Sequence, residues 1–194
     1  MLYPVNEIFY SIQGEGFHTG KPAIFIRLAG CNLKCPWCDT DHSKKEEMTE
    51  DEILIPINHY YNVPLIIITG GEPCIHNLES LLKKLETDMS ATIAIETNGT
   101  NPLALSRLKE LGLVDWITVS PKKETNLLSL KYANEIKVVF DGKINPKDYA
   151  YYAHPKTHLY IQPCSEDFKP AVDYVLEHPQ WRLSVQTQKI IGVK

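Results

Sequence analysis

Six short apolar runs recur along the chain, at 22–28 (PAIFIRL), 65–69 (LIIIT), 92–96 (TIAIE), 116–119 (WITV), 135–140 (EIKVVF) and 158–162 (HLYIQ). Gly, Pro, Asn or Asp bounds them, the punctuation of strands buried on both faces. Helical spacing fills the gaps. Leu78, Leu81, Leu82 and Leu85 fall at i, i+3, i+4 and i+7, with Asn77 as N-cap. A helix over 102–111 starts on Pro102 and stops before Gly112. Others are expected over 170–176 and 148–153. One over 49–61 opens on Thr49 with three acidic residues behind it and is interrupted at Pro56. Residues 7–12 read as a strand or sheet edge. Strands alternating with helices build a parallel sheet from right-handed βα units. Six units fall short of the roughly 250 residues of a full eight-fold barrel. The expectation is one domain over 1–194, an incomplete barrel or open sheet. In either, ligands gather at the carboxyl ends of the strands.

Composition narrows the partners. Twenty Lys and Arg against 24 Asp and Glu leave a net charge of −4. That argues against non-specific binding to nucleic acid or to a membrane surface. The longest apolar run, 63–69, is far too short to span a bilayer, and residues 1–6 lack a leader's basic start and apolar run. The five cysteines are odd in number and three stand within eight residues, unlike a secreted disulfide framework. A cytoplasmic chain with reduced thiols is expected.

Unusual residues follow five of the six strands. Gly30 leads into Cys31, Cys35, Trp37, Cys38, Asp39 and Thr40 after the first; Gly70-Gly71-Glu72-Pro73 follows the second. Thr97-Asn98-Gly99 follows the third, Ser120-Pro121-Lys122 the fourth and Pro163-Cys164-Ser165 the sixth. Three thiols at C-x3-C-x2-C suit a soft metal. They fit zinc with His42 as fourth ligand, a four-iron cluster with one iron left open, or three buried structural cysteines. Gly70 and Gly71 make a tight turn or a close approach of backbone. Ser120 caps a helix with Pro121 in its first turn, or binds a ligand. Arg27 ends an apolar strand, where a guanidinium needs a partner: a substrate carboxylate, or a structural one such as Glu72. For a hard cation, spacing alone favours Asp39 or Asp41.

CNLKCPWC resembles the cluster loop of radical S-adenosylmethionine enzymes, and the GGEP turn resembles that superfamily's second signature. Further segments are similar to the 7-carboxy-7-deazaguanine synthase family. They include Gln13-Gly14-Glu15-Gly16, the PAIFIRL strand, Cys38-Asp39-Thr40, Ser120-Pro121-Lys122 and the tail from Trp181 to Thr187. The resemblance implies an incomplete (βα)6 barrel of the radical S-adenosylmethionine type. It implies a cytoplasmic carbon–nitrogen lyase of queuosine and deazapurine biosynthesis. The implied reaction is radical ring contraction of 6-carboxy-5,6,7,8-tetrahydropterin to 7-carboxy-7-deazaguanine and ammonia. The implied cofactors are a [4Fe–4S] cluster, S-adenosylmethionine and Mg²⁺; the implied partners are a second copy of the chain and an electron donor such as flavodoxin.

The same resemblance implies the roles of the residues. Cys31, Cys35 and Cys38 hold the cluster. Trp37, Asp39, Gly71, Ser120, Pro121, Lys122, Gln162 and Ser165 surround S-adenosylmethionine. Ile12, Gln13, Gly14, Arg27, Thr69 and Lys194 face the pterin, and Thr40 binds Mg²⁺. Gln188 departs from the family's usual His after Gln-Thr. Two rivals make different demands. A glycyl-radical activase would share the cysteine loop and GGEP without needing the Gln13–Gly16 turn or Arg27. A zinc-stabilised binding module gives no role to GGEP or SPK.

Overall fold

The computed structural model describes residues 1–60, 62–142 and 144–194. Among these residues nine strands form one sheet in the order β3-β1-β2-β4-β5-β6-β7-β8-β9. The six expected strands are β2 (Pro22–Leu28), β4 (Leu65–Gly70), β5 (Thr92–Thr97), β6 (Trp116–Val119), β7 (Glu135–Phe140) and β8 (His158–Pro163). They run parallel, neighbour to neighbour. The all-parallel expectation needs correction at the edges. β1 (Leu2–Ile12) pairs antiparallel with both β2 and the unforeseen β3 (Glu46–Thr49). The two-residue β9 (Arg182–Leu183) adds a parallel stub beside β8. The sheet curls without closing, as an incomplete barrel does.

Helices cover the outer face: α1 (Glu50–Ile57), α2 (Glu79–Asp88), α3 (Pro102–Glu110), the single turn α4 (Lys147–Ala150) and α5 (Lys169–Glu177). A short α6 (Thr187–Ile191) follows β9. Local chemistry sets their ends. Thr49 and Glu52 cap each other in a capping box, and Pro56 falls in the last turn of α1, where a 3-10 turn over Asn58–Tyr60 takes over. Tyr61, the end of the expected 49–61 helix, lies outside the described residues. Asn101 caps α3, and Gly112 follows it at φ 68°. Asn77 is not the N-cap of α2, which starts at Glu79, but its side chain still accepts the Glu79 N–H at 3.1 Å. No α-helix begins at Ser120; a 3-10 helix spans Leu127–Tyr132 instead. No helix among the described residues is long and apolar enough to cross a membrane.

The period of two sends alternate side chains to opposite faces. Ile24, Ile26, Ile66, Ile68, Ile93, Ile95, Ile136 and Val138 point outward and are buried under the helices with Leu81, Leu82, Leu85 and Leu105. Each fully buried aliphatic contributes about 1.5–3 kcal/mol. The inward positions are graded along the axis. Ala23, Phe25, Leu65, Ile67 and Ala94 fill the amino-terminal half with a second apolar cluster. One step further along, the same faces carry Arg27, Thr69 and Glu96, which line a cavity.

Glu135 breaks this grading, because it begins β7 and is only 2% exposed. It accepts the Phe17 N–H at 3.0 Å. Burial pushes its carboxyl up to about 7, against the opposing pull of Lys137. The folded chain therefore keeps a proton that the unfolded chain releases near 4.5. Stability falls as pH rises through that window, by on the order of 3 kcal/mol. In denaturant titrations, Glu135→Gln gains stability relative to wild type at pH 7.5 and not at pH 4.5; an equal gap at both values would show that Glu135 does not titrate there.

Candidate active site

The carboxyl ends of the strands surround one cavity of about 880 Å³. Its wall on one side is the loop after β2. Cys31, Cys35, Trp37, Cys38, Asp39 and Thr40 all line it. Gly71, at the end of the neighbouring β4, lets this loop in: a Cβ there would lie 2.2 Å from the Gly30 carbonyl and 2.7 Å from the Cys31 Cβ. Gly71 thus makes room for the cysteine loop itself, while a Cβ at Gly70 would lie 2.1 Å from the Leu28 carbonyl of β2. Glu72 then ties adjacent loops together. Its buried carboxylate accepts the Cys74 N–H at 2.9 Å, the Thr97 hydroxyl at 2.6 Å and the Asn98 N–H at 2.5 Å. Asn98 donates to Asn32 at 3.0 Å, which reaches back into the cysteine loop. Glu72 is therefore not the partner of Arg27.

All five cysteines are free, and the three thiols of the loop share one wall beside the Lys122 ammonium. Burial pushes the Cys35 thiol up; Lys122 pulls it down, and Cys38 and Cys31 push it up further. The Leu33 N–H points at the Cys31 sulfur at 3.4 Å, a contact that stabilises a thiolate ligand. Among the described residues, no three His, Cys, Asp or Glu side chains converge on a single-ion centre. A structural zinc needs its ligands around one point, whereas a four-iron cluster spreads three thiolates over three irons. The open wall of thiols fits the cluster; His42 lines the same cavity, and its main-chain carbonyl accepts the Gly30 N–H at 2.8 Å.

Lys122, after β6, extends the same wall. Its ammonium donates to the Ser120 carbonyl at 2.7 Å and hydroxyl at 2.8 Å, and lies 5.1 Å from the Trp37 ring centre. Burial pulls it down to about 8. Ser120 and Gln162 also line the cavity. Two of the expected residues do not. Pro121 is buried between its neighbours, facing away, because successive residues of an extended segment alternate sides. Ser165 is exposed two residues past β8, its hydroxyl accepting the Asp167 N–H at 3.3 Å.

The opposite side holds Ile12, Gln13, Gly14, Arg27, Thr69 and Lys194, all lining the cavity. Arg27 Nε donates to Glu7 at 3.0 Å, and its guanidinium lies 5.7 Å from the Phe9 ring. Lys194 pairs with the same Glu7. Two cations thus share the Glu7 carboxylate at this side of the cavity. Gln13 is held as a strut: its amide donates to Glu96 at 2.9 Å and accepts the Glu15 N–H at 3.0 Å. Thr69 donates to the other Glu96 oxygen at 3.1 Å. Gly14 has no room for a side chain, since a Cβ would lie 1.7 Å from Gln188 Oε1.

Sequence reasoning missed the floor of this site. Lys137, on β7, is 5% exposed and pairs with Glu15. Burial alone would push the Glu15 carboxyl up, but Lys137 outweighs it and holds the carboxyl low. Glu96 and Lys137 carried the same signal as Arg27, a charge inside an apolar strand. Gln186, Gln188 and Lys189 also line the cavity, brought in by the tail.

The sequence profile of the Radical SAM superfamily matches residues 25–141. The 7-carboxy-7-deazaguanine synthase of Bacteroides thetaiotaomicron is 44% identical over the full length of both chains. That of Synechocystis is 37% identical over 99% of this chain and 94% of its own. The crystal structure of QueE from Escherichia coli superposes with a TM-score of 0.76 at 32% identity, covering 96% of this chain and 95% of the other. With the cysteine loop, the GGEP turn and the half-open barrel joined in one cavity, the chain belongs to the radical S-adenosylmethionine superfamily and, within it, to the 7-carboxy-7-deazaguanine synthases.

Proposed function

We propose that this chain converts 6-carboxy-5,6,7,8-tetrahydropterin to 7-carboxy-7-deazaguanine and ammonia by radical ring contraction, a lyase step of queuosine biosynthesis. The observation that carries this is one continuous cavity with a thiol wall on one side and paired cations on the other. Cys31, Cys35 and Cys38 would hold the [4Fe–4S] cluster. When bound, the cluster and S-adenosylmethionine supply the one-electron chemistry that removes a hydrogen atom from the pterin. Trp37, Asp39, Gly71, Ser120, Lys122 and Gln162 shape the pocket for S-adenosylmethionine; Pro121 sets the spacing of the two residues beside it.

On the other side, Arg27 binds the pterin carboxylate. Glu7 engages its Nε, and its two terminal nitrogens make no hydrogen bond among the described residues. A planar fork suits a carboxylate. Ile12 and Gly14 contribute wall and backbone, while Gln13 and Thr69 hold Glu96 at the pterin's edge. Lys194 and the tail exclude water from the mouth. The test is anaerobic reconstitution, then incubation with 6-carboxytetrahydropterin, S-adenosylmethionine and dithionite. The expected outcome is about four irons per chain and 7-carboxy-7-deazaguanine in the product. Alanine at Cys31, Cys35 or Cys38 abolishes both product and cofactor cleavage. Stoichiometric zinc with no uptake of iron would overturn the assignment.

Thr40 is the proposed protein ligand of Mg²⁺. The rival, Asp39, is occupied by the Lys189 ammonium, and the Thr40 hydroxyl lies 3.4 Å from its other oxygen. A neutral hydroxyl binds Mg²⁺ weakly, so substrate oxygens must complete the shell. Thr40→Ala therefore loses most Mg²⁺ stimulation and keeps cofactor cleavage, and Thr40→Ser retains much of the stimulation. Tight Mg²⁺ binding to substrate-free protein, lost in Asp39→Asn, would transfer the role to Asp39.

The proposed assembly is a homodimer. Met1, Leu2, Tyr10, Ile190 and Ile191 are exposed, and Tyr10 stacks on Tyr60 at 4.5 Å. A small redox protein such as flavodoxin supplies the electron, in the reducing cytoplasm that suits five free thiols. Light scattering at micromolar concentration is expected to give twice the chain mass; an active monomer would refute the dimer.

A further inference from the structure

The tail closes over the mouth of the cavity and is fastened unequally to its two sides. On the pterin side, among the described residues, the tail makes four hydrogen bonds besides the Lys194–Glu7 ion pair. The Thr187 N–H donates to the Gly14 carbonyl at 3.0 Å, and Ser11 donates to the Lys194 carbonyl at 2.5 Å. The amides of Gln186 and Gln188 donate to Glu15 at 2.8 and 3.3 Å. On the thiol side, among the described residues, the crossing is made to Asp39, which Lys189 pairs with and the Gln186 side chain also approaches. The Lys189 ammonium pairs with the Asp39 carboxylate and is steadied by the Gln186 side-chain oxygen at 2.9 Å.

Asp39 stands between Cys38 and Thr40. Among the described residues, it is the one residue from 35 to 40 whose side chain hydrogen-bonds to another segment. The Cys38–Cys35, Cys38–Thr40 and Thr40–Asp39 bonds stay within the loop. Trp37 adds only its ring contact with Lys122. The loop carries no sheet hydrogen bonds of its own. Its link to the tail therefore runs through Asp39, where the Lys189 ammonium is the charged partner and Gln186 the neutral one.

We infer that Lys189 is a positioning residue that, by holding Asp39, couples ordering of the tail over the pterin side to placement of the loop bearing Cys35, Cys38 and Thr40. The inference rests on the reading of the cavity as holding S-adenosylmethionine and pterin side by side. A ligand that orders the tail then orders the loop as well, and each ligand raises the other's affinity by the same factor. The side chains of Lys189 and Asp39 are 55% and 54% exposed, so their pairing adds little to global stability. Its effect is on coupling between the two halves of the site.

The test uses reconstituted, anaerobic protein without reductant. In wild type, adding 6-carboxytetrahydropterin tightens S-adenosylmethionine binding about tenfold, an ordinary size for coupling between sites. It also slows amide hydrogen exchange over residues 35–40. Lys189→Ala keeps iron content and melting temperature, and keeps each separate affinity within about twofold. It loses the mutual tightening and the protection over 35–40, and it raises the ratio of cleaved cofactor to product. Lys189→Arg restores all three, because a guanidinium also reaches the carboxylate. Wild-type coupling in Lys189→Ala would overturn the inference, as would loss of coupling only together with iron or melting temperature. No coupling in wild type would overturn it too, while product formed by the same preparation leaves the family reading intact.

Discussion

A lysine buried inside a barrel has to be neutralised, and this requirement organises the functional end of the molecule. Lys137 stands on the inward face of β7, almost without solvent. An isolated ammonium there would cost several kcal/mol. Glu15 meets it from 122 residues away in sequence. The other Glu15 oxygen accepts the Gln186 amide, 171 residues further along the chain. One carboxylate thus joins the loop after β1, the middle of the barrel and the tail. The mouth of the cavity has its shape because these three segments cannot separate without stranding a buried charge.

Glu72 does the corresponding work on the thiol side. Its carboxylate accepts three hydrogen bonds from the loop after β4, the last residue of β5 and the loop beyond it, and Asn98 carries the connection on to Asn32 in the cysteine loop. Gly71 lets that loop approach closely enough for the network to form. Two buried carboxylates, Glu15 in the cavity wall and Glu72 behind the thiol side, hold loops that the strand ladder leaves unpaired. Between them the barrel interior changes from apolar to polar within one step of the strand repeat. Phe25 gives way to Arg27, Ile67 to Thr69 and Ala94 to Glu96. The cavity begins where the apolar filling ends.

Much of this was readable in advance. The six central strands appear within one residue of their expected ends, because β-branched runs between Gly, Pro and Asn leave little choice. The cysteine loop, GGEP and SPK were visible as unusual residues after strands, and most of their side chains line the cavity. Pro121 and Ser165 were grouped with their neighbours by motif, and a motif does not say which member faces inward. Arg27 stood out as a charge in an apolar strand. Glu96 and Lys137 met the same criterion but were absorbed into strands that otherwise looked ordinary. β3 and β9 were invisible, since short edge strands of polar residues pair for want of any other partner.

Sequence alone determined the alternation of strands and helices, the side of the sheet on which chemistry would gather, and the thiols available to it. These follow from local periodicity and spacing, which a chain carries wherever it goes. Tertiary structure alone decided which charges meet. Arg27 pairs with Glu7 rather than Glu72, Lys137 with Glu15, and Lys189 with Asp39. Such pairings depend on the curl of the sheet and the path of the tail. Both are set by packing between segments far apart in the chain, and no local pattern records them.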